Sequence, residues 1–328
     1  MNVLGVKFNQ NISLIPPGAK ILVGVSGGQD SLCLIHLLRT FQPKYDWHLN
    51  IGHCNHQWRS DSLANANYVK TIAEEWQIPF YLRTATNPIN SEAKAREWRY
   101  QMLLEMALEA EANIIATGHT LTDRAETIFL NLLRGAGIEG MQSLNWQMPY
   151  KEGIKLVRPL LGIKRSETLA YCHAHGLTIW EDSTNANNKY KRNRLRNVVF
   201  PYLQKYFNPQ LEQTLIQTAE IMEEDVSFWH NYIEKIWLDH NFDANLPNID
   251  RNLLKNYPRS VQRRLIRKFL QIYIPHQLGF DHIEKVVKLI SSPNRSQCDP
   301  LPGKTFVVVD HPWLRFDTID SVLQFFYV

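Results

Sequence analysis

The sequence predicts an α/β fold: a doubly wound parallel sheet with a second, mainly helical C-terminal domain. Three observations predict it. Short β-rich runs alternate with longer helical patterns across residues 20–134. A glycine-bearing turn leads straight from the first run into the first helix. Beyond about Pro209 the strand pattern stops and apolar residues recur at helical spacing. Strands that alternate with helices need crossover connections, which are right-handed and generate a parallel sheet.

Residues 20–26, Lys20-Ile21-Leu22-Val23-Gly24-Val25-Ser26, form a continuous apolar run, as expected of a strand covered on both faces. Leu32, Leu34, Ile35, Leu37, Leu38 and Phe41 then fit a deeply buried helix. The alternation continues with strands over 48–56, 80–86 and 113–119 and helices over 61–77, 91–111 and 123–134. Gly135 or Gly137 is available to end the last helix in a left-handed turn. In the second region Leu211, Leu215, Ala219, Met222, Val226 and Trp229 follow a helical period, and further helices are expected over 259–273 and 280–291. Residues 305–310 and 321–328 read as β-like, with their pairing left open. The expected division is 1–208 and 209–328, since one core rarely grows past about 250–300 residues.

With 44% hydrophobic and 21% charged residues the chain can bury a real core, which excludes a disordered chain. The start of the chain has no signal-peptide pattern and no apolar run is long enough to span a bilayer, so a soluble, cytoplasmic protein is expected. Cys33, Cys54, Cys172 and Cys298 are widely separated, which argues for reduced thiols and against a zinc or iron–sulfur site. The net charge of +4 is only mildly basic, but residues 189–205 and 255–268 each hold six basic residues and no acidic one. With Tyr190, Tyr202, Tyr206, Tyr257 and Tyr273 nearby, these blocks suit phosphate contacts and base stacking, or are solvated helix faces.

Ser26-Gly27-Gly28-Gln29-Asp30-Ser31 lies between the first strand and its helix, where backbone N–H groups and a helix N-terminus make an anion site. Its bland reading is a simple glycine turn. Two glycines let the backbone close on an anion, the Ser26 and Ser31 hydroxyls can donate to phosphate, and Asp30 suits a metal ion carried on the phosphates. Neither a Walker loop nor a G-x-G-x-x-G fingerprint is present. The S-G-G-x-D-S pattern after the first strand resembles the PP-loop, or N-type ATP pyrophosphatase, superfamily. That resemblance implies a Rossmann-like fold that cuts ATP between the α- and β-phosphates and adenylates a carbonyl-type oxygen.

Further motifs narrow the resemblance. They are His53-x-x-His56 with Arg59; the run from Ala95 to Tyr100; Gly118-His119-Thr120-Leu121-Thr122-Asp123-Arg124-Ala125-Glu126-Thr127; Arg134-Gly135-Ala136-Gly137; Arg158-Pro159-Leu160-Leu161; and Glu181-Asp182-Ser183-Thr184-Asn185 leading to Tyr190-Lys191-Arg192-Asn193-Arg194-Leu195-Arg196. As an ordered set over residues 20–205 they resemble the tRNA(Ile)-lysidine synthetase family. The implied reaction adenylates the C2 oxygen of the first anticodon cytidine of an isoleucine tRNA reading CAU. The amine of L-lysine then displaces AMP, giving lysidine and switching decoding and charging from methionine to isoleucine. The implied cofactors are ATP and Mg²⁺.

The expected nucleotide-binding residues are Ser26, Gly27, Gly28, Gln29, Asp30 and Ser31, with Asp30 also holding the metal; the expected catalytic residues are Asp30, Asp123, Glu126 and Arg192. Asp123 and Glu126 stand three apart on one helix face and suit an ammonium group, or else stabilise the helix dipole. Arg192 and Arg196 suit a phosphate clamp, or a solvated basic face. His53, His56 and His119 lack a compact ligand set and read as structural or substrate-orienting. Arg96 and Arg99 either reach RNA or snorkel at a helix edge. Thr122 stands where many members of the resembled family carry an acidic residue, and the chain is short for that family. Sulfur transfer by a related tRNA thiolase is disfavoured because the cysteines are scattered, and amidotransfer because Asn2 rather than a cysteine follows Met1. A non-enzymatic nucleotide or RNA binder remains the alternative from another class.

Overall fold

A computed structural model of the chain describes residues 3–57, 61–87, 89, 91–141, 144–180, 188–240, 242, 246–276 and 278–318. Two compact units divide it, Met1–Glu223 and Glu224–Val328.

The first unit opens with α1 (Val3–Gln10) and then alternates β1 (Lys20–Gly24), α2 (Gln29–Tyr45), β2 (His48–Asn55), α3 (Ser62–Glu75), β3 (Phe80–Thr84), α4 (Glu92–Glu109) and β4 (Ile114–Thr117). It continues with α5 (Leu121–Leu133), β5 (Gln147–Pro149), β6 (Lys155–Val157), α6 (Arg165–Ala174), α7 (Lys191–Arg194) and α8 (Phe200–Tyr206). The strands form one sheet in the order β3-β2-β1-β4-β6-β5. Every pairing is parallel except that between β5 and β6.

The apolar run of β1 has its expected cause. Ile21 and Val23 pack into the core formed with α2 and α3, whereas Leu22 points the other way, against Leu103, Leu104 and Met106 of α4. All three are fully buried, each contributing about 1.5–3 kcal/mol. Because β2 and β4 flank β1 on opposite sides, the strand order reverses there, and a crevice opens beyond the carboxyl ends of β1 and β4.

Differences from the expected elements have local reasons. Helix α5 begins at Leu121 because Thr120 caps it: the Thr120 hydroxyl accepts from Asp123 N while Asp123 Oδ2 accepts from Thr120 N. Its end follows expectation, with Gly135 at φ +75°. Strands β5 and β6 are only three residues long, too short to show a period. Helix α6 has no apolar stripe to announce it, since its buried residues are Thr168, Tyr171 and Cys172.

Helix α9 (Leu211–Asp239) carries the boundary between the units. Ile216 and Ala219 pack with Leu121, Ala125, Ile128 and Phe200, so its first turns stay with the first unit and the division falls at 223/224, against the 208/209 expected from sequence. The second unit adds β7 (Asn248–Asp250), α10 (Arg251–Lys255), α11 (Arg259–Tyr273), α12 (Phe280–Leu289), β8 (Thr305–Asp310) and β9 (Trp313–Thr318). Strands β7, β9 and β8 form an antiparallel sheet, so the 305–310 run pairs inside its own unit. Residues 321–328, expected as β-like, lie outside the described residues. All four cysteines are free thiols. Among the described residues no helix is long and apolar enough to cross a membrane.

Candidate active site

The crevice at the strand-order reversal is a cavity of about 1110 Å³, bordered by the turn after β1, the ends of β2 and β4, and the start of α5. The turn is tightly held. Gly27 sits at φ +85°, and a Cβ there would lie 2.6 Å from Asn65 Oδ1, so only glycine fits. Asn65 Nδ2 donates to Ser26 O at 3.1 Å and Trp180 N to Gly27 O at 3.0 Å, fastening the loop from both sides. Gly28 caps α2 in an extended conformation, and the first intrahelical bond is Leu32 N to Gly28 O. The N–H groups of Gln29, Asp30 and Ser31 therefore form the electropositive end of α2 beside the cavity. Gly118, at the end of β4, lets that strand abut the loop: a Cβ there would meet the Asp30 backbone at 3.0 Å.

The loop side chains divide their work. Ser31 Oγ donates to Gly28 O at 2.9 Å and accepts from Ser26 N at 3.1 Å, so its hydroxyl staples the turn. Gln29 Nε2 reaches Arg165 O at 2.7 Å and Thr168 Oγ1 at 3.1 Å, binding the loop to α6. Asp30 borders the cavity. Its Oδ1 accepts from Thr168 Oγ1 at 2.5 Å, and Oδ2 is 3.6 Å from Arg165 Nε. Burial pushes its carboxyl up to about 6, against the opposing pull of Arg165.

Opposite the loop stands a cluster of two carboxylates and two guanidiniums. Arg192 Nε donates to Glu126 Oε2 at 2.8 Å, and Arg196 donates to both Glu126 oxygens at 2.5 and 2.7 Å. Both arginines also reach Asp123 Oδ1 at 3.1 Å, while Asp123 Oδ2 is bonded to Thr120. Burial alone would raise the Asp123 carboxyl, but Arg192, His119 and Arg196 hold it down at about 2. The Glu126 side chain is 0% exposed and does not border the cavity; Asp123, Arg192 and Arg196 do. The arginines stand four apart across α7 and a π-turn, Leu195–Val199, in which Phe200 N reaches back five residues to Leu195 O.

The remaining wall comes from β2, α4 and the end of β4. His53 Nδ1 is 2.8 Å from Val25 O, and Arg99 Nε donates to His56 Nε2 at 3.3 Å. Burial pushes His56 down to about 4 and His119 down to about 3, so both rings are neutral near pH 7. Asn65 Oδ1 and Tyr100 Oη are buried beside the cavity without a hydrogen-bond partner among the described residues, a state that a polar ligand relieves.

Comparison with known proteins bears on this geometry. The PP-loop domain family matches residues 5–203. A tRNA(Ile)-lysidine synthase of a Nostoc species is 48% identical over 90% of both chains, one of Gloeobacter violaceus 43% identical over 92% of both, and one of a Synechocystis species 40% identical over 96% of this chain and 97% of that one. The chain belongs to the tRNA(Ile)-lysidine synthase family. Among solved structures, the U34-tRNA thiolase NcsA from Methanococcus maripaludis superposes with a TM-score of 0.58 at 18% identity, covering 67% of this chain and 78% of that one, a likeness of fold.

The structure gathers most of the expected residues for a lysidine synthase site around one cavity: Ser26, Gly28, Gln29, Asp30, Ser31, Asp123 and Arg192 all border it. Gly27 and Glu126 stand just behind, supporting neighbours that do. Arg59 and the 181–185 motif lie outside the described residues. Thr122 turns away from the cavity; its hydroxyl accepts from Arg165 N at 3.3 Å. Arg158 donates to Asn145 O at 2.6 Å and is a buried structural group, while the Arg134–Gly137 motif does not border the cavity. Arg165, Thr168, Asn65 and Trp180 escape the sequence reading. For Arg165 and Thr168 the available signal is their position just after Arg158-Pro159-Leu160-Leu161.

Proposed function

We propose that the protein joins L-lysine to the first anticodon cytidine of an isoleucine tRNA with anticodon CAU, using ATP and passing through an adenylated base. The observation that carries the proposal is the glycine turn at the strand-order reversal, facing a carboxylate–arginine cluster across one cavity, in a chain of the lysidine synthase family. Two bonds form and two break. The C2 oxygen of the base attacks the α-phosphate and pyrophosphate leaves. The lysine side-chain amine then attacks C2 and AMP leaves, the amine losing its proton.

The residues supply binding and charge rather than covalent chemistry. The N–H groups at the start of α2 and the Gly28 backbone receive the phosphates, with Ser31 holding the turn in shape. Asp30 fits a divalent cation. It is a buried carboxylate at the cavity wall, and among the described residues no group of three His, Cys, Asp or Glu side chains could hold an ion alone, so the other ligands would be phosphate oxygens and water. Such an ion would supply neutralisation of the triphosphate charge. Asp123, kept anionic by its arginines, offers its carboxylate to an amine of lysine. Arg192 and Arg196, which border the cavity, would meet the adenylate phosphate, and Glu126 holds the two guanidiniums side by side. Glu126 is therefore a positioning residue.

Labelled L-lysine should enter a CAU-bearing isoleucine tRNA only with ATP, with one pyrophosphate released per lysine. Pyrophosphate release without lysine incorporation would move the nucleophile elsewhere; neither event would leave a binder without chemistry.

A further inference from the structure

The two basic stretches expected to meet polyanions differ once folded. In residues 255–268 the charges turn to protein partners. Arg259 and Arg263 pair with Glu284, Lys268 pairs with Glu234, and the Arg264 guanidinium lies 4.4 Å from the Trp229 ring centre. In residues 189–205 Arg192 and Arg196 are spent on carboxylates, whereas Lys191, Arg194 and Lys205 stand exposed.

Helix α8 carries aromatic rings on the outside beside those charges. It buries Phe200 in the core shared with Leu121 and Ile128, yet leaves Tyr202 57% and Tyr206 60% exposed, with Phe207, the residue that ends it, 72% exposed. The Tyr202 and Tyr206 rings are 4.9 Å apart, Phe207 is 6.1 Å from Tyr202, and the Lys205 ammonium lies 5.0 Å from the Tyr206 ring centre. Three clustered rings facing solvent forgo the burial that aromatic side chains ordinarily gain. Through the π-turn, the same helical segment carries Arg192 and Arg196 to the cavity wall.

We propose that Tyr202, Tyr206 and Phe207 form a stacking platform for unpaired nucleotides next to the base being modified. Unpaired bases present bare π-faces, and their phosphates match the exposed cations of the segment. A protein partner is the poorer match, since the stretch offers no acidic group from 189 to 205 to pair with a mixed surface. The proposal rests on the tRNA reading above and adds where the loop lies.

The test is equilibrium binding of an unmodified CAU-bearing isoleucine tRNA, together with pyrophosphate-release kinetics, for wild type, for Y202L/Y206L/F207L and for Y202F/Y206F. The leucine variant should bind tRNA at least about tenfold more weakly and raise KM for tRNA, leaving KM for ATP and kcat at saturating tRNA unchanged. The phenylalanine variant should bind like wild type. Wild-type affinity in the leucine variant overturns the platform while the proposed function stands. Equal loss in both variants overturns stacking in favour of the hydroxyls. Unaltered tRNA binding with lost self-association in sedimentation makes the rings a contact between copies, and a wild type that binds no tRNA removes both proposals.

Discussion

The two ends of the cavity are built on opposite principles. At the loop end, backbone geometry makes an electropositive concavity, and the Asp30 carboxylate is held against its ionisation, raised to about 6 by burial. At the far end every charge has an opposite within hydrogen-bond reach, and Asp123 is held ionised at about 2. The first end is strained toward a ligand and gains by binding one. The second is complete without a ligand and serves as a rigid wall of fixed charge. Under the proposed function, phosphate would answer an unmet electrostatic need, and an amine would meet a carboxylate already paired with arginine.

That contrast can be broken by single substitutions, beginning with the most severe. Asp30→Asn should lower pyrophosphate release by about 10²–10³-fold, as for loss of one preorganised charge-stabilising group, while thermal stability at pH 7 in metal-free buffer stays equal or rises. A drop in melting temperature would show that the loop carboxylate is structural. Glu126→Ala should act in the reverse sense and cost about 3–5 kcal/mol of stability, because it leaves two guanidiniums to share the single Asp123 carboxylate; urea unfolding measures it, and a loss below about 1 kcal/mol would mean the arginines find other partners.

Acid should separate the ends further. Asp30 is protonated more readily folded than unfolded, so its unfavourable contribution of about 2–3 kcal/mol applies above pH 6 and is relieved as pH falls from 6 toward 4. Asp123 binds its proton less readily folded than unfolded, so a favourable contribution of similar size, about 2–3 kcal/mol, holds above pH 4 and is lost as pH falls through about 2. Stability curves of Asp30→Asn and Asp123→Asn against wild type should therefore diverge in opposite directions, and parallel curves would refute the contrast. Smallest, Thr120→Ala should cost about 1 kcal/mol by removing the α5 cap, with KM for lysine rising because Asp123 keeps only the Thr120 backbone N–H of the two donors to its second oxygen.

The sequence shows the loop end more fully than the cluster. Ser26 to Ser31 are contiguous, and their chemistry is a matter of backbone, which glycine placement between a strand and a helix announces. The cluster joins α5 to a segment some 66 residues later in the chain, by the Glu126–Arg192 bond. Periodicity places Asp123 and Glu126 on one face but is silent on what covers that face, so the two carboxylates read as an amine site, whereas Glu126 is enclosed by arginines. Helix α6 is invisible for a related reason. It is held by Thr168, Tyr171 and Cys172, whose polar atoms bond to Asp30, His36 and Gln29 of α2 rather than marking an apolar stripe. Long helices such as α11, with Val261, Leu265, Ile266, Phe269 and Leu270 inward, are legible to the residue.

The π-turn at Leu195–Val199 sets a constraint of length on this segment. It contributes one residue beyond α-helical closure, and each residue turns a helix by about 100°. Arg192 lies ahead of the turn, while Phe200, Tyr202 and Tyr206 follow it. Removing any one residue from 195–199 would swing α8 by a quarter-turn or more relative to the arginines, drawing Phe200 out of its edge-on contact with Phe129 at 5.6 Å or Arg192 and Arg196 off Glu126. Side chains such as the exposed Val198 are open to exchange, but the count of residues is not: the segment works as a spacer of fixed phase, coupling an inward pair of cations to an outward pair of rings.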